Sequence, residues 1–176
     1  MDFTQSQQDM NASYVGGATG VLASGLIWLC AAIIAMTVTE KASMAALFVG
    51  GMFIFPLSIV FSKLLSASGK HSSQNLLRHL ALETLPILFV GLLIAFYVAQ
   101  IKVELFFPIM LMVIGARYFA FQTMYSLKAY WLLGALLVIA GVISASLSLP
   151  FVFGAFAGGI IEVVFAIILF KQSKAT

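Results

Sequence analysis

Long apolar runs separated by very short polar links dominate this chain. A helix needs about 20 apolar residues to cross roughly 30 Å of hydrocarbon. Six runs meet that length, at approximately 14–38, 42–62, 82–100, 105–126, 130–149 and 151–170. Apolar and polar positions do not alternate within them, which argues against a membrane β-barrel. Backbone groups in lipid must bond within their own segment, which leaves helices. The links "TEK", "IKVE", "LKA" and "LP" force antiparallel neighbours. The expected fold is all-α: one integral membrane domain over 1–176, with six transmembrane helices in three antiparallel hairpins. Only one connection is longer, residues 63–81, "KLLSASGKHSSQNLLRHLA".

Composition agrees with this pattern. The chain is 62% hydrophobic and 9% charged, against about 25% charged in soluble domains. So few charges cannot cover a water-facing surface, and the apolar remainder must face the lipid bilayer. The net charge of +3 comes from scattered residues and gives no patch for nucleic acid. Lys63, Lys70, Arg78, Lys128, Lys171 and Lys174 fall on one side of the predicted topology, and only Lys41 and Lys102 on the other. The positive-inside rule therefore predicts cytoplasmic N- and C-termini and a cytoplasmic 63–81 loop. The first fourteen residues are polar and lack a basic signal-peptide start, so the first run is expected to remain as a span. Trp28, Tyr97, Tyr118, Tyr125, Tyr130 and Trp131 are expected to include interface anchors. Cys30, the single cysteine, lies in "LIWLCAAII"; it excludes an internal disulfide and reads as a buried, inert thiol.

In the long loop, Ser72 or Ser73 is expected to cap a short helix running into the third span. Leu76, Leu77, Leu80 and Leu82 would form its apolar stripe, with Arg78 toward lipid phosphates. His71 and His79 are eight residues apart, the wrong spacing for a helical metal pair, and are read as solvated. Pro56 lies deep in the second span and makes it the candidate bent helix. Pro108 falls in the first turn of the fourth span, where its missing N–H costs little. Gly16, Gly20 and Ser24 in the first span, and Gly154 and Gly158 in the sixth, follow the spacing that brings helix backbones together. Packing within the chain is the first reading; a homo-oligomer is the alternative.

Two charges fall inside spans. Arg117 lies twelve residues into the fourth span, roughly 18 Å deep, and Glu162 eleven residues into the sixth, roughly 17 Å deep. Both spans run in the same direction. A central charge costs about 2.5–3.5 kcal/mol on insertion scales. Glu162 can shed its charge by taking up a proton; arginine cannot. A guanidinium–carboxylate bridge between them solves the problem. The alternatives are Arg117 snorkelling to the headgroups, or a functional site that binds an ion or anion or relays protons.

No Walker loop, HExxH, paired-cysteine motif or nucleophile elbow occurs. Neither histidine lies in a predicted span. No catalytic residue, cofactor or metal is expected, and no enzymatic activity. The segments "FIFPLSIVFSKLL", "GARYFAFQTMYSLKAY" and "IIEVVFAIILF" resemble a family of small bacterial multi-span membrane proteins of unknown function. The strongest pieces are Phe55-Pro56-Leu57, Ser62-Lys63-Leu64-Leu65, Gly115-Ala116 and Ser126-Leu127-Lys128-Ala129-Tyr130. The likeness runs from the end of the first span to the sixth. It implies a multi-pass protein of the bacterial plasma membrane and names no substrate. Two functional classes follow: a small transporter or channel-like protein with a polar site at Arg117 and Glu162, or a non-catalytic membrane scaffold or accessory subunit that self-associates or binds a partner. A transporter requires a cavity reaching those charges. A scaffold requires them sealed and paired.

Overall fold

A computed structural model describes residues 1–175. Its helices are α1 (Phe3–Tyr14), α2 (Ala18–Thr37), α3 (Glu40–Leu64), α4 (Leu80–Glu83), α5 (Leu85–Ala99), α6 (Phe106–Tyr125), α7 (Ala129–Ser146) and α8 (Phe151–Ala175). Among the described residues there is no strand. Six helical stretches are long and apolar enough to cross a membrane, so the chain is an all-helical, multi-pass membrane protein. α2–α3, α5–α6 and α7–α8 form the three hairpins.

The polar N-terminal segment is not an extension of the first span but a helix of its own. Asp2 caps α1 by accepting from the Gln5 N–H at 2.7 Å, while the Gln5 side chain accepts from the Asp2 N–H at 3.0 Å. This reciprocal cap satisfies two otherwise orphaned donors. α1 then breaks from α2 at three consecutive left-handed residues, Val15 (φ 52°), Gly16 (φ 61°) and Gly17 (φ 74°). The Tyr130 hydroxyl donates to the Gly16 carbonyl at 2.7 Å. A Cβ on Gly17 would run into the Tyr130 hydroxyl and the Tyr125 ring. Gly16 therefore belongs to this break, and a Cβ there would also press on Leu127 and on Ser173 of α8.

The long loop docks onto α1. The Gly69 N–H donates to the Ser13 carbonyl at 3.0 Å. Asp9 accepts from the Ser72 N–H at 2.9 Å and from Asn75 Nδ2 at 2.7 Å. The helix expected from Ser72 or Ser73 does not form. Ser72 Oγ accepts from the Gln74 N–H, and Asn75 Oδ1 from the Leu77 N–H; such local bonds compete with helix and favour turns. Leu77 is buried, whereas Leu76 and Leu82 are exposed. Helix begins only at Leu80 and is interrupted again at Thr84. Asp9→Ala is expected to loosen residues 65–79 by about 1 kcal/mol, read as faster amide exchange across that loop with the spans unaffected.

The most extensive pairings are α2 with α8 and α6 with α7. α3 packs on α2, and α5 packs on α6. These two outer helices are not packed side by side, so the bundle is cleft between them. Close approach within the core rests on glycines. A Cβ on Gly115 would lie 2.8 Å from the Gly134 carbonyl oxygen, and one on Gly134 would lie 2.7 Å from that of Gly115. Gly25 and Gly159 do the same work between α2 and α8. Gly154 lies against Phe107, Gly158 lies against Trp28, and Gly20 faces Ser58 of α3 at longer range. The faces of Gly154 and Gly158 are thus occupied inside the chain.

Trp28, Tyr118, Tyr125 and Tyr130 are buried, and only Tyr97 and Trp131 of the six aromatic anchor candidates face outward. Cys30 is exposed on the outer face of α2, which corrects the buried placement that its apolar neighbours suggest. α3 continues through Pro56, whose ring is exposed on the side away from the core.

Candidate functional site

The cleft between the outer helices contains a cavity of about 580 Å³, walled by α2, α3, α5 and α6 and closed at the terminal end by α1 and the long loop. Its polar side chains gather toward that end: Tyr14, Ser24, Ser58, His71, Arg78, Arg117 and Tyr118. Its far end is apolar, with Trp28, Leu47, Leu92 and Met110. Met52 and Phe55 of α3, with Leu82 and Phe89 across from them, line the cavity and are each more than half exposed. These four form apolar lips on a lateral mouth.

Arg117 lies in the cavity wall. Its Nε donates to Thr84 Oγ1 at 3.3 Å. Thr84 is available because α4 and α5 are interrupted there, a backbone irregularity placed where it lines a cavity. The guanidinium also lies 5.8 Å from the Phe121 ring centre, one helical turn along α6. Arg78 is exposed at the rim, donating to His79 Nε2 at 2.8 Å and to the Ser73 carbonyl. His71 Nδ1 pairs with the Tyr14 hydroxyl at 2.8 Å. Among the described residues, neither Arg117 nor Arg78 is paired with a carboxylate.

Glu162 lies elsewhere. It is completely buried in α8, and its Oε1 accepts from the Tyr118 hydroxyl at 2.8 Å. Ser24 of α2 faces the same carboxyl, and among the described residues Oε2 has no partner in good hydrogen-bond geometry. The direct Arg117–Glu162 bridge suggested by equal depth is therefore not made. Depth along two helices leaves rotation undetermined. Arg117 turns toward α5 and the cavity, while its neighbour Tyr118, about 100° further round α6, turns toward α8. Tyr118 and Ser24 line the cavity, and Glu162 lies behind them. Thr84 and Phe121 are absent from the residues singled out by sequence, and Tyr118 is singled out only as a candidate interface anchor. The available signals were the adjacency of Tyr118 to Arg117 and the four-residue step to Phe121.

Fold and site together define a polytopic helical membrane protein with an internal, laterally open cavity. The chain belongs to a family of unknown function (DUF7010), whose sequence profile matches residues 3–172. No curated protein matches the chain, and no solved structure matches it.

Proposed function

We propose that this protein is a small, non-enzymatic carrier that binds an anionic substrate at Arg117. One observation carries the reading: a permanently charged guanidinium faces a cavity of about 580 Å³ and, among the described residues, makes no salt bridge, with the Glu162 carboxylate acting on it only through space. A partly buried cation is costly to leave without a salt bridge, and a substrate anion supplies the missing charge. The volume falls in the range of small-molecule sites, roughly 300–1,000 Å³. A sealed scaffold would bridge its charges directly; the placement of Arg117 in the cavity wall, bonded to Thr84 and not to Glu162, favours the carrier. The distribution of Lys and Arg supports an orientation in the bacterial plasma membrane with both termini and the cavity's polar end cytoplasmic.

A panel of anions, from acetate and inorganic phosphate to alkyl phosphates, tests this by thermal unfolding of the purified protein. A ligand of the native state raises its stability in proportion to RT ln(1 + [L]/Kd). At least one anion is expected to stabilise the wild type and not Arg117→Gln. Flux of that anion into proteoliposomes then reads transport, with Arg117→Gln vesicles at the leak rate. No stabilisation by any anion would remove the carrier reading and leave the scaffold.

A further inference from the structure

We infer that the cavity's substrate is a long-chain amphiphile with a single oxyanion head, drawn sideways from the bilayer. This rests on the carrier reading above and names its substrate class. Three features converge. The first is charge: Arg117 uses only Nε for its hydrogen bond to Thr84, leaving its terminal nitrogens to form the fork that matches phosphate or carboxylate. The second is polarity along the cavity. Arg78 and His71 lie at the rim, Arg117 further in, and Trp28, Leu47, Leu92 and Met110 beyond it. Arg117 is eight residues from Tyr125 at the end of α6, roughly 12 Å inward. A head placed there directs its chain into the apolar part. The third is the mouth. Met52, Phe55, Leu82 and Phe89 form its sides, a surface that a hydrated ion does not cross and an acyl chain does.

Selectivity then resides in the head. An alkyl chain moving from lipid to an apolar cavity changes its surroundings little, because lipid tails are as apolar as the cavity wall. A neutral amphiphile leaves Arg117 unpaired. A small hydrated anion pairs Arg117 but leaves the apolar half of the cavity empty.

Trp28 lines the cavity, and Trp131 is the only other tryptophan. In a Trp131→Phe background, Trp28 is therefore the single emitter and reports a chain beside it. The experiment places the full chain in nanodiscs of zwitterionic lipid and titrates ω-bromododecyl phosphate, whose bromine quenches at short range. Saturable quenching is expected, with a midpoint about ten-fold or more below that of ω-bromododecanol. Arg117→Gln in the same background should abolish that preference while keeping the alcohol's quenching, which shows an intact cavity. Equal midpoints for phosphate and alcohol would overturn the inference. So would displacement of the alkyl probe by inorganic phosphate at matching concentration: the carrier reading would then stand with a small-anion substrate. Absence of quenching overturns the inference as well; a second copy of the chain filling the cleft would show as a dimer in light scattering. If, in addition, no anion stabilises the protein, the carrier reading falls with it.

Discussion

Gly134→Val is expected to lower stability by about 3 kcal/mol or more, the largest loss from any single side-chain addition discussed above. Overpacking a core ordinarily costs about 1–3 kcal/mol, because side chains can move aside. Here the obstacle is backbone. A Cβ at Gly134 would meet the Gly115 carbonyl oxygen at 2.7 Å, and that oxygen cannot move unless α6 moves. The reciprocal contact at Gly115 is equally close. Separating α6 from α7 also removes the packing around Leu133 and Leu137, both completely buried. Gly51→Ala is the control. It too replaces a glycine within a span, but nothing lies within 4 Å of the added carbon. Its effect should stay within about 0.5 kcal/mol. Thermal unfolding of the two purified variants makes the comparison; equal stability would contradict the close α6–α7 crossing.

The spans were legible because lipid imposes one dominant rule: long apolar runs must become helices that satisfy their own backbone. α3 occupies Glu40–Leu64 and α6 occupies Phe106–Tyr125, within two residues of the ends read from hydropathy. The first span was harder. Hydropathy rises at Tyr14, but helix α2 starts at Ala18, because Gly16 and Gly17 permit a left-handed turn that hydropathy does not register. The signal for α1 was present in Asp2 and Gln5, an acid and an amide three residues apart, which is the pattern of a reciprocal cap. Glycine spacing was a poorer guide. It singled out Gly16, Gly20, Gly154 and Gly158, whereas the backbone crossing of α6 and α7 uses Gly115, Gly134 and Gly141. Gly115 stands alone on α6, and Gly134 and Gly141 are seven residues apart on α7, not the four-residue step of the small-residue packing pattern.

The site was legible in its charges and not in its geometry. Arg117 and Glu162 stood out because ionisable groups within spans are rare, and their depths along α6 and α8 were close to equal. Contact depends also on which way each helix is turned, and apolar spans give little sign of that because most of their faces are hydrophobic. Arg117 faces the cavity and Tyr118 faces Glu162, a difference of one residue. The cavity itself arises because α3 and α5 do not pack on each other, a long-range outcome that no local pattern records. Cys30 shows the same effect in reverse. In a soluble protein an apolar neighbourhood implies the core; in a bilayer it fits the outer, lipid-facing surface equally well.

Tyr118 and Glu162 are expected to be strongly coupled in a double-mutant cycle, and Arg117 and Glu162 weakly coupled. Tyr118→Phe alone removes the hydroxyl that donates at 2.8 Å to a completely buried carboxyl, leaving it only the facing Ser24. Glu162→Leu alone leaves the buried Tyr118 hydroxyl without its acceptor. Each single change should therefore cost about 1–3 kcal/mol, the penalty for an orphaned buried polar group. The double variant replaces both partners with apolar groups of similar size, an exchange that is often close to neutral. The coupling should be about 1–2 kcal/mol, in the upper range for hydrogen bonds between membrane helices. Arg117→Gln combined with Glu162→Leu should show a smaller coupling, below about 1 kcal/mol, because the guanidinium bonds Thr84, faces the cavity and acts on Glu162 only through space. Thermal unfolding in detergent supplies all the values. Strong coupling between Arg117 and Glu162, with Tyr118→Phe silent, would restore the direct ion pair that their matching depths suggest. It would also take away the unpaired cation on which anion binding depends.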